Sequence, residues 1–568
     1  MPTLTIDGRK IYVADGAMIL EAARALGIAI PTLCFREGYQ TATSCMVCVV
    51  RVNGSDHLVP SCATKAEDGM VVESETDEVR AARRIALELL LGDHLGDCIA
   101  PCQSTCPLQL NIPEMIGLVA EGRMGAAVAT IRECVPLSAV LSHICPAPCE
   151  KGCRRGQLDR PVAIRLLKRY IAECALAQGD IEVPECAPDT GRKVAIVGAG
   201  PAGLSASYYL RRAGHACTVF DEHDQAGGML RHGVQEARLP RRVLDTEIDA
   251  ILALGMDFRM NTRVGQDVSL QDLREEFDAI VVATGNMSAE GASALGLPMA
   301  GRGLEADHHM QTMSADGVFV AGAALFPSRH TARAVASGKS AAQSIIEYLA
   351  GEPMTVPERP FSVHMGQLSE QEMEAFSATA SPEERLVPSG GSTAGFTEGE
   401  AIREARRCLH CECVGLEGCR LREWAMRYGA NPNRYRTHRR TFSREISHPL
   451  VIYEPGKCIA CGLCVQIAKK AAERLGLTFI GRGFDVAVSV PFGESLAAGL
   501  EKVAAECAQA CPTAAITLRN AEIADDTSEL TPLPDVEPCA RGSRRARIPK
   551  RRRFPGQFRS ARTRRRRR

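Results

Sequence analysis

Cysteines are the feature that most restricts how this chain can fold. Twenty of its 24 cysteines fall within four stretches of the sequence, and within each stretch they are closely spaced. Thiolates at such spacings are the usual ligands of iron–sulfur clusters. The chain begins without an apolar leader, so this density favours a reducing compartment over a disulfide framework. The pattern therefore indicates a carrier of single electrons.

Length and composition limit the other possibilities. The 568 residues leave room for about three to five domains. The aromatic content of 4% and the single Trp argue against an aromatic-rich surface for nucleic acid or carbohydrate. No apolar run approaches the length of a transmembrane helix, and the start, MPTLTIDGRKIYV, alternates like two strands joined at Asp7-Gly8. We expect a cytoplasmic protein without a membrane span.

The net charge of zero conceals a strong asymmetry. Between Ala540 and Arg568 there are 15 Lys or Arg residues and no acid, which leaves 53 basic and 68 acidic residues before them. The basic end is interpreted as a disordered tail, over 526–568. The alternative is an arm for nucleic acid or for an acidic partner. The acidic body suits a basic partner or simple solubility.

The first cysteine stretch, IPTLCFREGYQTATSCMVCVVRVNGSDHLVPSCAT, has the spacing C-x10-C-x2-C-x13-C. Cys45 and Cys48 lie on one loop and are expected to bind one iron, whereas Cys34 and Cys62 would bind a second. A zinc site is the alternative, but four-cysteine zinc sites generally use two C-x2-C pairs, and this stretch has one. The stretch resembles the [2Fe–2S] domain of the largest complex I subunit and of iron hydrogenases. That resemblance implies a ferredoxin-like β-grasp domain over 1–92.

The second stretch contains HLGDCIAPCQSTCP and ICPAPCEKGC, followed by PVAIRLLKRYIAE. It resembles the helical domain of the glutamate synthase small subunit and of dihydropyrimidine dehydrogenase, which implies two [4Fe–4S] clusters within 93–188. The cysteine runs interleave in those relatives. By that resemblance one cluster is bound by Cys98, Cys102 and Cys153, and the other by Cys106, Cys145 and Cys149.

Each of these two sets is one ligand short. His94 precedes Cys98 by four residues, at the position of the first missing ligand, and complex I has a similar His-x3-Cys ligand. A solvent-facing histidine fits equally well. At the second missing position the chain has Lys168, and an ammonium cannot bind iron. Cys134 is a candidate replacement or else a small buried hydrophobe, and either vacancy could hold an exchangeable ligand.

A glycine-rich loop lies in the middle of the chain, in the sequence KVAIVGAGPAG at 193–203. A β-rich run precedes Gly198, Gly200 and Gly203, and a helical run follows them. In this context the three glycines permit a tight turn, a close approach of a pyrophosphate and close helix–strand packing. The next strand, ACTVF, leads to Asp221, in position to accept a hydrogen bond from a ribose hydroxyl.

The rest of this region indicates which nucleotide binds. The stretches AGGMLRHGVQEARLPRRVLDTEIDAILALGMDF and GVFVAGAALFPSRHTARAVASGKSAAQSIIEYL resemble the flavin domain of the glutamate synthase small subunit. The resemblance implies a Rossmann-like FAD domain over 189–351, with these residues at the cofactor: Gly198, Gly200, Gly203, Asp221, Gly227, Gly228 and Gly322.

This chain departs from the family in two ways. The family usually has Gly-Asp where the chain has Gly322-Ala323, so a polar contact to the flavin is lost and FAD retention is expected to be weaker. The family also inserts an NAD(P)H domain between the ATG strand and the closing strand. Only about thirty residues separate Asn286 from Gly317, which is too few for such a domain. Direct oxidation of NAD(P)H is therefore doubtful.

The last two cysteine stretches follow a segment over 352–396 that is predicted to be a linker with some packing. A capping box at Thr397 and Glu400 predicts a helix that runs into CLHCECVGLEGC, within a segment over 397–450. These four cysteines are expected to close around one [4Fe–4S] cluster, with structural zinc as the alternative: Cys408, Cys411, Cys413 and Cys419.

A ferredoxin-like domain is predicted next, over 451–525, with the stretches KCIACGLCV and CAQACPTAAI. Its cluster ligands are predicted to be Cys458, Cys461, Cys464 and Cys511, with Cys507 as the alternative to the last; the stretch GRGFDVAVSVPFG resembles the complex I large subunit.

The sequence thus predicts a multidomain α/β and α+β protein with FAD, one [2Fe–2S] cluster and about four [4Fe–4S] clusters. The best interpretation is an electron-transfer subunit of a redox complex. We expect its partners to be subunits like those of formate dehydrogenase, hydrogenase or ferredoxin oxidoreductase, or soluble ferredoxin, and not nucleic acid. A self-contained NAD(P)H oxidoreductase and a redox sensor with structural clusters are the alternatives.

Overall fold

The computed structural model describes residues 1–177, 185–328, 330–355, 360–391, 394–436 and 439–519. The predicted basic tail and Cys539 lie outside these ranges. Residues Met1–Arg519 form one compact unit. Within the described ranges no single helix has the length and apolarity to cross a membrane, although two consecutive helices, Met124–Cys134 and Ser138–Ile144, pass that test as a pair bent by 86°.

The amino-terminal part is a mixed five-stranded sheet with the strand order β2-β1-β5-β3-β4. Its elements are β1 Thr3–Ile6, β2 Arg9–Tyr12, α1 Ile19–Ala25, β3 Val49–Val52, β4 Leu58–Pro60, β5 Val71–Glu73 and α2 Asp77–Gly92. Strands β1 and β2 pair antiparallel, as predicted, because Asp7 and Gly8 both adopt a positive φ that closes a tight hairpin turn. Helix α1 buries Ile19 and Leu20 in a core with Leu4, Ile6 and Val72 of the sheet.

Short helices make up the next part, and their apolar faces share a core with the domain that follows. These are α3 Pro101–Thr105, α4 Ile112–Ala120, α5 Met124–Cys134, α6 Ser138–Ile144, α7 Pro148–Gly152 and α8 Ile164–Ala177. Three of the predicted ligands, Cys106, Cys145 and Cys153, directly follow the last residues of α3, α6 and α7. Helix ends thus present these cysteines.

The central domain is a parallel five-stranded sheet with the order β12-β9-β6-β7-β8. Its strands are β6 Lys193–Val197, β7 Ala216–Phe220, β8 Asp257–Arg259, β9 Ala279–Val282, β10 Met299–Ala300, β11 Gly303–Leu304 and β12 Val318–Val320. Its helices are α9 Pro201–Arg212, α10 Met229–His232, α11 Arg241–Leu252, α12 Leu270–Glu276, α13 Ala289–Ala294 and α14 Thr331–Leu349. Between β9 and β12 the chain forms only α13 and the small β10–β11 hairpin, so the short insert seen in the sequence is also short in the structure.

The carboxyl-terminal part combines two small antiparallel sheets with short helices. Its elements are α15 Glu370–Ser377, α16 Glu398–Ala405, α17 Arg420–Arg427, β13 Val451–Tyr453, α18 Leu463–Lys470, β14 Thr478–Ile480, β15 Ala487–Ser489, α19 Leu496–Gly499, α20 Ala504–Ala510 and β16 Ile516–Leu518. Thr397 and Glu400 form the predicted capping box of α16. The segment expected to be a connector with some packing includes α15 and buries Val363, Met365 and Phe376.

Candidate functional site

Site 1 consists of the four buried cysteines of the amino-terminal stretch. The Sγ atoms of Cys34 and Cys45 are 3.3 Å apart, and those of Cys48 and Cys62 are also 3.3 Å apart. The hydrogen bond within each pair lowers the pKa of Cys34 to about 6 and that of Cys48 to about 7. The same hydrogen bonds raise the pKa of the partner thiols, Cys45 and Cys62. Four buried thiols in two adjacent pairs fit the ligand set of a two-iron cluster.

The thiol contacts differ from the predicted pairing of these four cysteines. Cys45 and Cys48 were expected to bind one iron together, but each pairs with a cysteine from a flanking loop. The reason is local: Met46, between them, adopts a left-handed conformation with φ of 53°, which turns the loop between the two cysteines. Cys45 and Cys48 are therefore at the same site, but each thiol contacts a different cysteine and not the other.

Site 2 joins residues that are more than 300 positions apart in sequence. Cys98, Cys413 and Cys419 lie in one buried cluster of side chains, and the backbone N–H of Cys413 donates to the carbonyl of Cys98 at 3.3 Å. The Cys98 Sγ also accepts from the backbone N–H of Val363 at 3.4 Å. Cys98 was expected to share a cluster with Cys102 and Cys153, and the structure corrects this.

His94 lies beside site 2. Its Nδ1 is buried without a hydrogen-bond partner, and burial together with the charge of Lys457 lowers the pKa of His94 to about 4. Lys457 in turn donates from Nζ to the Sγ of Cys413 at 3.3 Å. The imidazole is therefore neutral at neutral pH, with a buried nitrogen free to act as a ligand, which fits the predicted role of His94 next to Cys98.

Site 3 is a cavity lined by four cysteines from two parts of the chain: Cys102, Cys153, Cys408 and Cys411. The sequence predicted that the four cysteines from Cys408 to Cys419 would close around one metal. Instead they divide between sites 2 and 3. His410, with φ of 44°, turns the chain after Cys408. Cys411 then lines site 3, whereas Cys413, two residues later, lies with Cys98 at site 2.

Site 4 is a cavity next to site 3, lined by Cys106, Cys145, Cys149 and Lys168. The structure brings together the three cysteines of the predicted second helical cluster. Lys168 lines the same cavity. Burial raises the pKa of Cys149 to about 12, and the charge of Lys168 opposes that rise. Cys134, the candidate replacement ligand, is at the end of α5 and does not line this cavity.

Site 5 is a cavity in the carboxyl-terminal part, and it contains the thiols of Cys458, Cys461, Cys464 and Cys511. Cys507, the alternative to Cys511, is fully buried in the neighbouring apolar core, where its Sγ lies 3.8 Å from the carbonyl oxygen of Cys464. The structure therefore places Cys511, and not Cys507, at the cavity. Cys174, Cys186 and Cys217, which matched no motif, line none of the cysteine cavities of sites 3–5.

The spacing of these ligands bears on the choice between clusters and zinc. Among the residues that the structure describes, no three His, Cys, Asp or Glu side chains come close enough to hold a single metal ion. A single zinc ion draws its four ligands around one centre, whereas the irons of a cluster spread the thiolates farther apart.

Buried charged residues that the cysteine spacings did not predict flank the cysteines. Asp97 and Arg154 form a buried ion pair beside Cys98 and Cys153. Arg407, which precedes Cys408, is fully buried and bonded to Glu404 and Asp159. These ion pairs fix the backbone next to the cysteines of sites 2 and 3. Their positions in the sequence were the available signal: Asp97, Arg154 and Arg407 are each directly adjacent to a predicted ligand cysteine.

The glycine loop between β6 and α9 has the geometry predicted for a nucleotide site. A Cβ on Gly203 would lie 1.9 Å from the carbonyl oxygen of Gly198, so only glycine lets helix and strand approach this closely. A Cβ on Gly200 would meet nothing within 4 Å. That open space lies at the amino terminus of α9, where free N–H groups and the helix dipole favour a phosphate.

The other predicted nucleotide residues surround this loop. Gly228 approaches Gly200 so closely that a Cβ on it would lie 3.0 Å from the Gly200 Cα, and Gly227 donates from its N–H to the carbonyl of Ala199. Gly322, with φ of 68°, starts the turn after β12. Asp221 lies at the end of β7, where its carboxylate accepts from the N–H of Ala199 at 2.7 Å and so holds the glycine loop.

Comparison with known protein families agrees with this arrangement. A family model described as "2Fe-2S iron-sulfur cluster binding domain" matches residues 1–77. A model of "dihydropyrimidine dehydrogenase domain II, 4Fe-4S cluster" matches residues 95–180, and a model of "NAD(P)-binding Rossmann-like domain" matches residues 196–258.

Three similar proteins illustrate the relationship. The chain is 42% identical over 207 residues to the beta subunit of an NADP(+)-dependent formate dehydrogenase from Moorella thermoacetica, covering 33% of this chain and 29% of the relative. It is 39% identical over 188 residues to the beta subunit of an NADPH-Fe(3+) oxidoreductase from Geobacter sulfurreducens, covering 33% and 28%. It is 38% identical over 213 residues to a glutamate synthase [NADPH] small chain from Mycobacterium tuberculosis, covering 37% and 43%.

The chain spans less than half the length of each of these relatives. Within that shared part the predicted resemblance to the glutamate synthase small chain is confirmed. The chain thus combines a 2Fe-2S domain, a 4Fe-4S domain of the dihydropyrimidine dehydrogenase type and a Rossmann-like nucleotide-binding domain, as an iron–sulfur relative of oxidoreductase subunits.

Proposed function

We propose that this chain is the electron-transfer subunit of a multi-subunit oxidoreductase. FAD would bind at the glycine loop, a [2Fe–2S] cluster at site 1, and four larger iron–sulfur clusters at sites 2 to 5. When bound, FAD exchanges electrons in pairs or singly and the clusters exchange them singly. The cysteines and glycines of this chain would hold these groups one after another along a path through the protein.

The observation that carries the proposal is the continuous order of the sites. Ala332, at the start of α14 beside the nucleotide domain, lines site 4. Ile164 lines both site 4 and site 3, and Cys411 of site 3 is two residues from Cys413 of site 2. One buried core then contains cysteines of sites 2, 1 and 5. Neighbouring sites that share walls are expected in a chain of electron carriers, whereas clusters with a purely structural role do not have to be adjacent.

FAD is the cofactor that this nucleotide site favours. The open space at Gly200 fits a pyrophosphate, and the chain is 38% identical over 213 residues to a glutamate synthase [NADPH] small chain. By the resemblance stated from the sequence, that family has a flavin domain at this position. A nicotinamide domain needs several βαβ units, whereas residues between β9 and β12 form one short helix and one hairpin. We therefore infer that a pyridine nucleotide is oxidised on a partner subunit.

The partner would also activate the substrate. Relatives of this chain are named as subunits of formate dehydrogenase and of an NADPH-Fe(3+) oxidoreductase, so partners of that kind, or a soluble ferredoxin, are proposed. Every cysteine that the structure describes is a free thiol, which suits assembly of clusters in the reducing cytoplasm.

Metal analysis and stopped-flow mixing test the proposal. Anaerobically purified protein should contain no stoichiometric zinc and about 18 iron atoms per chain, or about 17 where one of the four larger clusters has three irons. Mixing with NADH or NADPH should bleach little flavin, whereas dithionite or reduced ferredoxin should reduce the protein, which should then pass electrons to an artificial acceptor.

Two other outcomes would favour the alternatives. Rapid, saturable reduction by either pyridine nucleotide would indicate a self-contained oxidoreductase, which the match to an NAD(P)-binding model also suggests. Partner binding that depends on the clusters, without sustained turnover, would indicate a redox sensor.

A further inference from the structure

Site 4 differs from the other cysteine cavities in its ligands. Sites 3 and 5 are each lined by four cysteines, whereas site 4 is lined by Cys106, Cys145 and Cys149 only. Lys168 of α8 lines the cavity where a fourth cysteine would be expected, and this lysine is only 9% exposed. A cubane of four irons needs a ligand for each iron, and a protonated lysine has no lone pair to offer.

The two neighbouring residues that could supply a fourth ligand, Glu247 and Cys134, do not line the cavity. Glu247 is buried close enough to feel the charge of Lys168, but its carboxylate accepts from Ser138 Oγ at 3.1 Å and from the backbone N–H groups of Ala139 and Val140 at 2.7 Å. Cys134 lies outside the cavity, although the adjacent Val135 lines it. The residues present therefore do not fit a [4Fe–4S] cluster with four protein ligands.

They do fit a cluster that lacks one iron. A [3Fe–4S] cluster is a cubane without one corner, so three thiolates satisfy its irons and three sulfides surround the open corner. A lysine ammonium carries three N–H donors, which match three acceptor sulfides. It also places a positive charge beside a group that gains negative charge on reduction.

We infer that site 4 holds a [3Fe–4S] cluster bound by Cys106, Cys145 and Cys149, with the ammonium of Lys168 at its open corner. This inference rests on the proposed function and makes one of its sites specific. Site 4 is also the cysteine site that borders the nucleotide domain, through Ala332. The nearby cation favours the reduced cluster, which suits a group that receives electrons first.

EPR and Mössbauer spectroscopy of the full-length protein, purified anaerobically without reductant, test the inference. Oxidised [2Fe–2S] and [4Fe–4S] clusters give no EPR signal, whereas an oxidised three-iron cluster gives a sharp one. We expect that signal in stoichiometric amount. Lys168→Cys should abolish it and add about one iron atom per chain, because the new thiolate completes a four-iron site. Lys168→Met should keep the signal and lower the midpoint potential.

Two controls separate a native three-iron cluster from a damaged or differently ligated one. Incubation with ferrous iron and reductant rebuilds a damaged four-iron cluster, so persistence of the signal is expected and its loss would overturn the inference. Cys134→Ser should leave the spectrum unchanged. If Cys134 were the fourth ligand, the wild type would lack the signal and this variant would gain it.

Cys149→Ser distinguishes failure of this inference from failure of the proposed function. We expect this variant to lose the signal together with about three iron atoms per chain. Loss of about four iron atoms, with no three-iron signal in the wild type, would contradict only the cluster type. An unchanged iron content would mean that site 4 binds no cluster, and would contradict the proposed function as well.

Discussion

Lys457 lies between two of the proposed cluster sites. It directly precedes Cys458 of site 5, and its buried ammonium donates to Cys413 of site 2 and pairs with Glu454. Lys457→Met removes a cation that favours the reduced cluster, so we expect a lower midpoint potential at site 2, measured by EPR-monitored redox titration. The variant also leaves Glu454 with Arg444 alone, at a cost on the order of 3 kcal/mol in folding stability.

Two further variants separate the electrostatic effect of Lys457 from structural damage. Lys457→Arg keeps the positive charge and should recover most of the potential, whereas Lys469→Met removes an exposed lysine of α18 and should change neither quantity. An unshifted site 2 potential in Lys457→Met protein with full iron content would show that this lysine has only a structural role.

At the scale of the element, two glycines of the turn from β6 to α9 have different roles: Gly200 leaves room for a ligand, and Gly203 allows close packing. A side chain on Gly200 enters open space, so Gly200→Val should fold but exclude the pyrophosphate. A side chain on Gly203 collides with the Gly198 carbonyl, so Gly203→Val should prevent the domain from folding. Flavin content and the visible spectrum of site 1 check both: we expect Gly200→Val to lose FAD and keep site 1. Stoichiometric FAD in that variant would refute the assignment.

The segment after α16 allows a second test, because its cysteines divide between two sites. Cys411→Ser should weaken the EPR signal of the reduced cluster at site 3, and Cys413→Ser that at site 2. The double variant should lose about eight iron atoms. If the four cysteines from Cys408 to Cys419 bound one cluster, as the sequence suggested, the two single variants would lose the same signal and the double variant about four iron atoms.

These elements also show how far the sequence could predict the site. A strand–loop–helix turn depends on residues that are close in sequence, so the roles of Gly198, Gly200 and Gly203 were predictable. The hairpin turn at Asp7 was predictable for the same reason. The sharing of cysteines was not local. Cys98 meets Cys413 across more than 300 residues, and a tertiary contact of that kind leaves no trace in spacing. The reversed pairing at site 1 depended on the backbone conformation of one residue, Met46.

At the scale of the whole molecule, site 2 is the junction between the nucleotide side and the two outer sites. Its cysteines share a core with Cys34 and Cys45 of site 1 and with Cys461 of site 5, while sites 3 and 4 lie toward the glycine loop. Cys419→Ser should therefore disconnect sites 1 and 5 from electrons that enter at the flavin.

Freeze-quench EPR after photoreduction of the flavin would measure this. In the variant we expect sites 3 and 4 to be reduced as fast as in the wild type, and sites 1 and 5 at least about tenfold more slowly. Dithionite, which reaches every site from solution, should still reduce sites 1 and 5 fully and so serves as the control. Equal rates in variant and wild type after photoreduction would mean that electrons bypass site 2, and that the order of sites inferred from their shared walls is not the order of transfer.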